Sequence, residues 1–154
     1  MDGVALLLGG LAMFGPFSID TIFPAFPAIG AQLGCPDALC IDIAGEASIQ
    51  MNIQELGTAT QYRLPVKIFI LNNEYMGMVR QWQDLTYGGR YAESYSDSLP
   101  DFVKLAEGMG CDAVRVTKSA ELADAYKRGL SATGASLIEV MVDSAVPLLY
   151  TQKG

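Results

Sequence analysis

Two short stretches carry the side chains of this chain that could do chemistry, Ala44-Gly45-Glu46-Ala47-Ser48 and Leu71-Asn72-Asn73-Glu74-Tyr75. Glu46 and Asn73 offer one carboxylate oxygen donor and one amide oxygen donor. Hard oxygens of this kind suit magnesium, which takes about six oxygen ligands, keeps some water, and is commonly shared between one or two protein groups and substrate phosphates. Beside them, Gly45 lets a backbone approach closely, while Ala47 and Ser48 present N–H donors and a hydroxyl. A diphosphate bridged to the protein by a divalent cation fits that set.

The elements that must position these residues are legible in the flanking runs. Ala38 to Ile43 and Val66 to Leu71 read as buried parallel strands, and each polar stretch opens a helix-like pattern. In open parallel sheets, ligands bind outside the carboxyl ends of the strands, where helix N-termini offer free N–H groups. Ile49, Ile53 and Leu56 recur at helical spacing and predict a helix ending before Leu64-Pro65; Met78, Trp82 and Leu85 do the same after Tyr75, with Leu85 expected in the core. Thr86 to Leu99 is polar and reads as a 14-residue loop. Pro100 at a first helical position, with Asp101 in the first turn, starts a helix that carries Phe102, Leu105, Ala106 and Met109 on one face and ends at Gly110. Val114 and Val116 mark a strand, Ser119 is placed to cap a helix from Ala120 to Ser131, and Leu137 to Val142 forms a last buried strand. Strands alternating with helices predict an α/β fold with a doubly wound, mainly parallel sheet.

Composition narrows the function. The chain has 154 residues, 51% of them hydrophobic and 18% charged, enough for one good core and few for two. A net charge of −7 without any basic run argues against nucleic acid, which is bound by clustered Lys and Arg. The same charge repels a free anionic cofactor at long range, so diphosphate binding must be local and metal-assisted. The 3 cysteines, Cys35, Cys40 and Cys111, lack metal-finger spacing and read as reduced cytosolic thiols. With 0 histidines the commonest general base is missing, leaving proton chemistry to a cofactor, to carboxylates or to another polypeptide. Glu55, Glu74, Asp84 and Glu93 read as solvated charges, and no residue is assigned a catalytic role.

The two polar stretches resemble the thiamine diphosphate signature, a GDG or GDA followed after a gap by NN. From about Ala28 to Pro147 the chain is similar to the C-terminal cofactor-binding domain of the acetohydroxyacid (acetolactate) synthase catalytic subunit, most clearly in Ile41 to Glu55, Pro65 to Gln83 and Leu99 to Gly110. The run from Asn72 to Trp82 is specific to that branch. By position, the resemblance implies that Glu46, Asn73 and the main-chain carbonyl of Tyr75 bind the metal. It also implies that Gly45, Ala47 and Ser48 touch the diphosphate, that Met51, Met78 and Val79 line the cofactor, and that Trp82 faces the substrate side. The family usually has Asp where Glu46 stands, and one extra methylene moves the carboxylate by roughly 1.5 Å unless the turn adjusts. The Thr86 to Leu99 region resembles a segment that orders over the family's active site.

The resemblance implies a thiamine diphosphate-dependent transferase of branched-chain amino-acid biosynthesis, condensing pyruvate with a second 2-oxo acid in a cytoplasmic homo-oligomer. In the family a separate domain activates the cofactor ring and a middle domain holds FAD; neither is expected here, so the chain reads as a cofactor-domain fragment that is not active alone. The alternative is a non-catalytic remnant, truncated or chimeric, that binds magnesium and cofactor weakly or docks to a synthase protomer. Ahead of this body, Leu6 to Ile29 resembles the first transmembrane helix of drug-export transporters of the bicyclomycin-resistance type. The apolar run Val4 to Phe17 is nevertheless short for a span, which needs about 20 apolar residues, and it has no basic flank. Three segments are therefore expected: an apolar leader over 1–27, the thiamine diphosphate and magnesium domain over 28–147, and a tail over 148–154.

Overall fold

A computed structural model describes residues 25–143. The transporter-like stretch up to Pro24 and the tail expected over 148–154 lie outside the described residues. In chain order the elements are α1 (Ala25–Gly34), β1 (Ile41–Gly45), α2 (Glu46–Gln50), α3 (Glu55–Gln61), β2 (Lys67–Asn72), α4 (Gly77–Tyr87), α5 (Phe102–Gly108), β3 (Asp112–Val116), a 3-10 turn (Ser119–Glu121), α6 (Leu122–Ser131) and β4 (Ser136–Met141).

The four strands form one sheet in the order β1-β2-β4-β3, every pair parallel. The alternation of side chains along a strand sends Ala44, Ile68, Ile70, Ala113 and Leu137 to one face, where they pack with Ile49, Leu56, Ala59, Phe102 and Ala106 of α2, α3 and α5. Phe69, Val116 and Ile138 point to the opposite face and pack with Ala125 and Leu122 of α6, and the Phe69 ring stacks on Tyr126 at 4.5 Å. Helices on both faces of a parallel sheet make the fold doubly wound. Because each side of the central strands is covered, β2 reads as an unbroken apolar run between Lys67 and Asn72.

Several sequence expectations shift. The helix predicted through Ile49, Ile53 and Leu56 is two helices: between them Asn52 N–H bonds Ile49 O, Glu55 N–H bonds Asn52 O and Leu56 N–H bonds Ile53 O, each three residues back. That tighter winding separates the two helices while Ile49 and Leu56 both stay buried. Leu85 is not core; it is 67% exposed, and no residue of α4 is buried. Asp101 is the N-cap of α5, accepting from Lys104 N–H, so the helix begins two residues later than the proline suggests. Ser119 does not cap α6; the Glu121 carboxylate accepts from the Thr117 and Lys118 N–H groups instead. Gly110 has φ +84, and a side chain there would meet Thr60 Cγ2 at 3.1 Å, which is why the chain after α5 needs glycine to enter β3. The cysteines are free, with Cys40 and Cys111 buried.

Candidate cofactor and metal site

Strands β1 and β2 are parallel neighbours with Gly45 opposite Leu71, so both polar stretches leave the same end of the sheet side by side. Gly45 is extended, with φ −85 and ψ 166, and α2 starts at the next residue. Its conformation is open to any residue, and a Cβ there would meet Ser48 Oγ at an ordinary 3.9 Å.

Glu46 is 2% exposed. Its carboxylate feels the backbone N–H groups of Glu46 itself and of Asn73, the first stretch lying beside the second. Burial pushes its pKa up; the N–H groups of Glu46 and Asn73 pull it down, and the nearby Glu74 charge raises it. Asn72 is buried: its Nδ2 donates to Glu139 Oε1 at 2.8 Å and its Oδ1 accepts from Glu74 N–H at 3.1 Å. Asn73 Oδ1 accepts from Tyr75 N–H at 3.1 Å. Glu74 between them has φ 62, a left-handed conformation rare for a residue with a side chain, and the two asparagine oxygens brace it from either end.

Tyr75 forms an antiparallel bridge with Tyr95, flanked by Met76 N–H to Ser94 O at 2.9 Å and Ser96 N–H to Glu74 O at 2.8 Å. The polar segment expected as a plain loop is thereby stapled to the Asn72–Tyr75 turn, and Ser94 is buried. The Arg80 guanidinium lies 4.2 Å from the centre of the Tyr75 ring and 5.3 Å from that of Tyr91. Gln83 Nε2 donates to Ala92 O at 2.8 Å, so α4 is held to the same segment.

Of the remaining sequence candidates, Ala47 and Ser48 are half-buried in the first turns of α2, and Met51 just beyond it is 49% exposed. Met78 is half-buried on α4, whereas Val79 and Trp82 are exposed. Among the described residues no group of three or more His, Cys, Asp or Glu could hold a metal ion. A metal here would rely on one carboxylate completed by amide and main-chain oxygens. Those donors fit magnesium chemically: Glu46 is a carboxylate, and Asn73 Oδ1 keeps a second lone pair beyond the one used by Tyr75 N–H.

Sequence reasoning passed over three buried polar groups. Glu139 in β4 is 1% exposed and accepts from Arg115 Nε at 2.7 Å as well as from Asn72, and Arg115 in turn donates to Asp101 at 3.0 Å. Asp42 in β1 is buried, with one oxygen unpaired, and burial lifts its pKa to about 6. Lys67 is buried and donates to the carbonyls of Ala132 and Gly134. The signal was available: each is a charged residue inside a run otherwise apolar enough to be a two-sided buried strand.

The family described as "Thiamine pyrophosphate enzyme, C-terminal TPP binding domain" matches residues 23–140. The chain belongs to this family. Among similar proteins, the mitochondrial acetolactate synthase catalytic subunit of Saccharomyces cerevisiae is 51% identical over 122 residues, covering 79% of this chain and 18% of that protein. The acetolactate synthase large subunit of Haemophilus influenzae is 49% identical over 109 residues, covering 71% of this chain and 19% of that protein. A solved structure, the thiamine diphosphate-dependent 4-hydroxybenzoylformate decarboxylase of Rhodococcus jostii RHA1, superposes with a TM-score of 0.73 at 35% identity, covering 78% of this chain and 23% of that one. The TPP-binding domain described here therefore spans about a fifth of the synthases it matches. None of its described helices is long and apolar enough to cross a membrane.

Proposed function

We propose that this domain grips the diphosphate of thiamine diphosphate through magnesium, as the cofactor-binding part of an acetolactate synthase. The observation that carries the reading is the parallel β1–β2 register with Gly45 opposite Leu71, which brings the acidic and amide stretches together at one end of the sheet. Glu46, Asn73 Oδ1 and the Tyr75 carbonyl would hold the metal. The N–H groups of Ala47 and Ser48, with the Ser48 hydroxyl, would hold the diphosphate beside Gly45. Met51, Met78 and Val79 would cover the cofactor, with Trp82 toward the substrate. When bound, thiamine diphosphate supplies the carbon nucleophile, and the protein supplies binding, orientation and exclusion of water.

In the intact enzyme the substrates would be pyruvate and a second 2-oxo acid, with FAD held elsewhere, in a cytoplasmic assembly. The exposed Met51, Val79, Trp82 and Leu85 suit cover by another protomer or domain. Glu46 in place of the family's usual aspartate favours a second reading, a domain that binds magnesium and cofactor weakly without turnover. Measured acetolactate formation separates the two.

Binding is the direct test. Thiamine diphosphate with magnesium should quench Trp82 fluorescence, and Glu46→Ala and Asn73→Ala should each weaken the effect. Equal quenching in chelator, in both variants and in the parent chain would sink the metal bridge.

A further inference from the structure

The turn that carries Asn73 is held from behind by side chains on the other half of the sheet. Glu139 sits opposite Arg115 in the β3–β4 register and opposite Ile70 in the β2–β4 register, close to the carboxyl ends of all three strands. Its carboxylate is 1% exposed and has one hydrogen bond on each oxygen, Oε1 from Asn72 Nδ2 at 2.8 Å and Oε2 from Arg115 Nε at 2.7 Å. Arg115 continues the chain to Asp101, the N-cap of α5.

The chemistry of that contact sets the orientation of Asn72. A carboxylate paired with a guanidinium accepts hydrogen bonds and donates none, so Asn72 must turn its NH2 toward Glu139. Its Oδ1 is then directed at Glu74 N–H, 3.1 Å away, which supports the left-handed φ of 62 at Glu74. That backbone reversal sets where Asn73 and Tyr75 lie. With the Asn72 amide reversed, NH2 would face N–H and the brace would be lost.

We propose that Glu139 is the positioning residue of the Asn72–Tyr75 turn, fixing the Asn72 amide and through it the placement of Asn73 and the Tyr75 carbonyl. The consequence for ligand affinity rests on the magnesium and thiamine diphosphate reading above; the consequence for the turn itself does not.

The test exploits donor and acceptor matching. In Glu139→Gln the new amide can accept from Asn72 or from Arg115 but not from both, so one contact becomes donor against donor. In the double variant Asn72→Asp with Glu139→Gln the roles are exchanged: the amide donates to the new carboxylate and accepts from Arg115, and the carboxylate still accepts from Glu74 N–H. Backbone amide exchange is read by NMR in the metal-free protein. Glu139→Gln should speed exchange at Glu74 and Tyr75 about tenfold, equivalent to about 1.4 kcal/mol, with Ile68 and Ile70 unchanged, and the double variant should restore both rates. Wild-type rates at Glu74 and Tyr75 in Glu139→Gln would overturn the proposal, as would failure of the double variant to restore them. If Glu139→Gln does not fold, the double variant decides alone: it must fold and show wild-type exchange, and failure in either respect refutes the assignment. A parallel titration with magnesium and thiamine diphosphate should show weaker binding in the single variant and recovery in the double. A parent protein that binds no cofactor would refute the ligand reading while leaving the exchange result to judge Glu139.

Discussion

Asp42 offers the sharpest quantitative check on how the strand that delivers Glu46 is built. It lies in β1, 8% exposed, with Oδ2 unpaired, and burial raises its pKa from 3.8 to about 6. The folded state therefore binds the proton more tightly than the unfolded chain. The stability this adds is fully present below pH 3.8 and is lost as pH rises through about 6. A difference of roughly two pH units corresponds to about 3 kcal/mol at 1.36 kcal/mol per unit. Asp42→Asn removes the ionisation and keeps the size. Its stability relative to the parent should thus be smallest near pH 3.5, climb between about pH 4 and 6, and level off by pH 8 at a gain approaching about 3 kcal/mol. Urea unfolding followed by Trp82 fluorescence measures both proteins across that range. Taking the difference cancels the other carboxylates, which titrate alike in each. A difference that does not change with pH, or one that grows toward acid, would refute the claim that an unpaired buried carboxylate costs this fold stability at neutral pH.

Other substitutions probe the frame around the site. Gly129→Ala would place a Cβ 2.4 Å from Ile138 Cδ1, and Ile138 is fully buried, so thermal melting should show a loss of about 1–3 kcal/mol. Gly57→Ala, in α3 with nothing within 4 Å of the added carbon, should instead gain about 0.5–1 kcal/mol in the same assay. Lys67→Met frees the carbonyls of Ala132 and Gly134 from their buried donor; urea unfolding should show a loss of about 1–3 kcal/mol. Glu46→Asp shortens the carboxylate by one methylene and should strengthen magnesium-dependent quenching of Trp82 if the aspartate usual in the family is the better ligand. Unchanged or weaker quenching would mean that the α2 turn has adapted to glutamate.

The sequence alone determined which segments are strands, because apolar runs such as Val66 to Leu71 leave no polar face for a solvent-facing helix. It also placed Glu46 and Asn73 at strand ends and identified the TPP-binding type of the domain, since their spacing and the run to Trp82 are local properties of the chain. Helix boundaries were less legible. The break between α2 and α3 comes from a local change in hydrogen-bond winding that leaves the apolar spacing intact. Leu85 was misread because periodicity reveals an apolar stripe but not whether another element packs on it; Leu85 is 67% exposed and no residue of α4 is buried. Only the tertiary structure decided the partners of the buried charges. Asn72, Arg115 and Glu139 are far apart in sequence, and the strand order β1-β2-β4-β3 brings them together at one sheet end. A buried carboxylate there requires donors from both neighbouring strands, a condition set by strand neighbours and register that a reading along the chain does not contain.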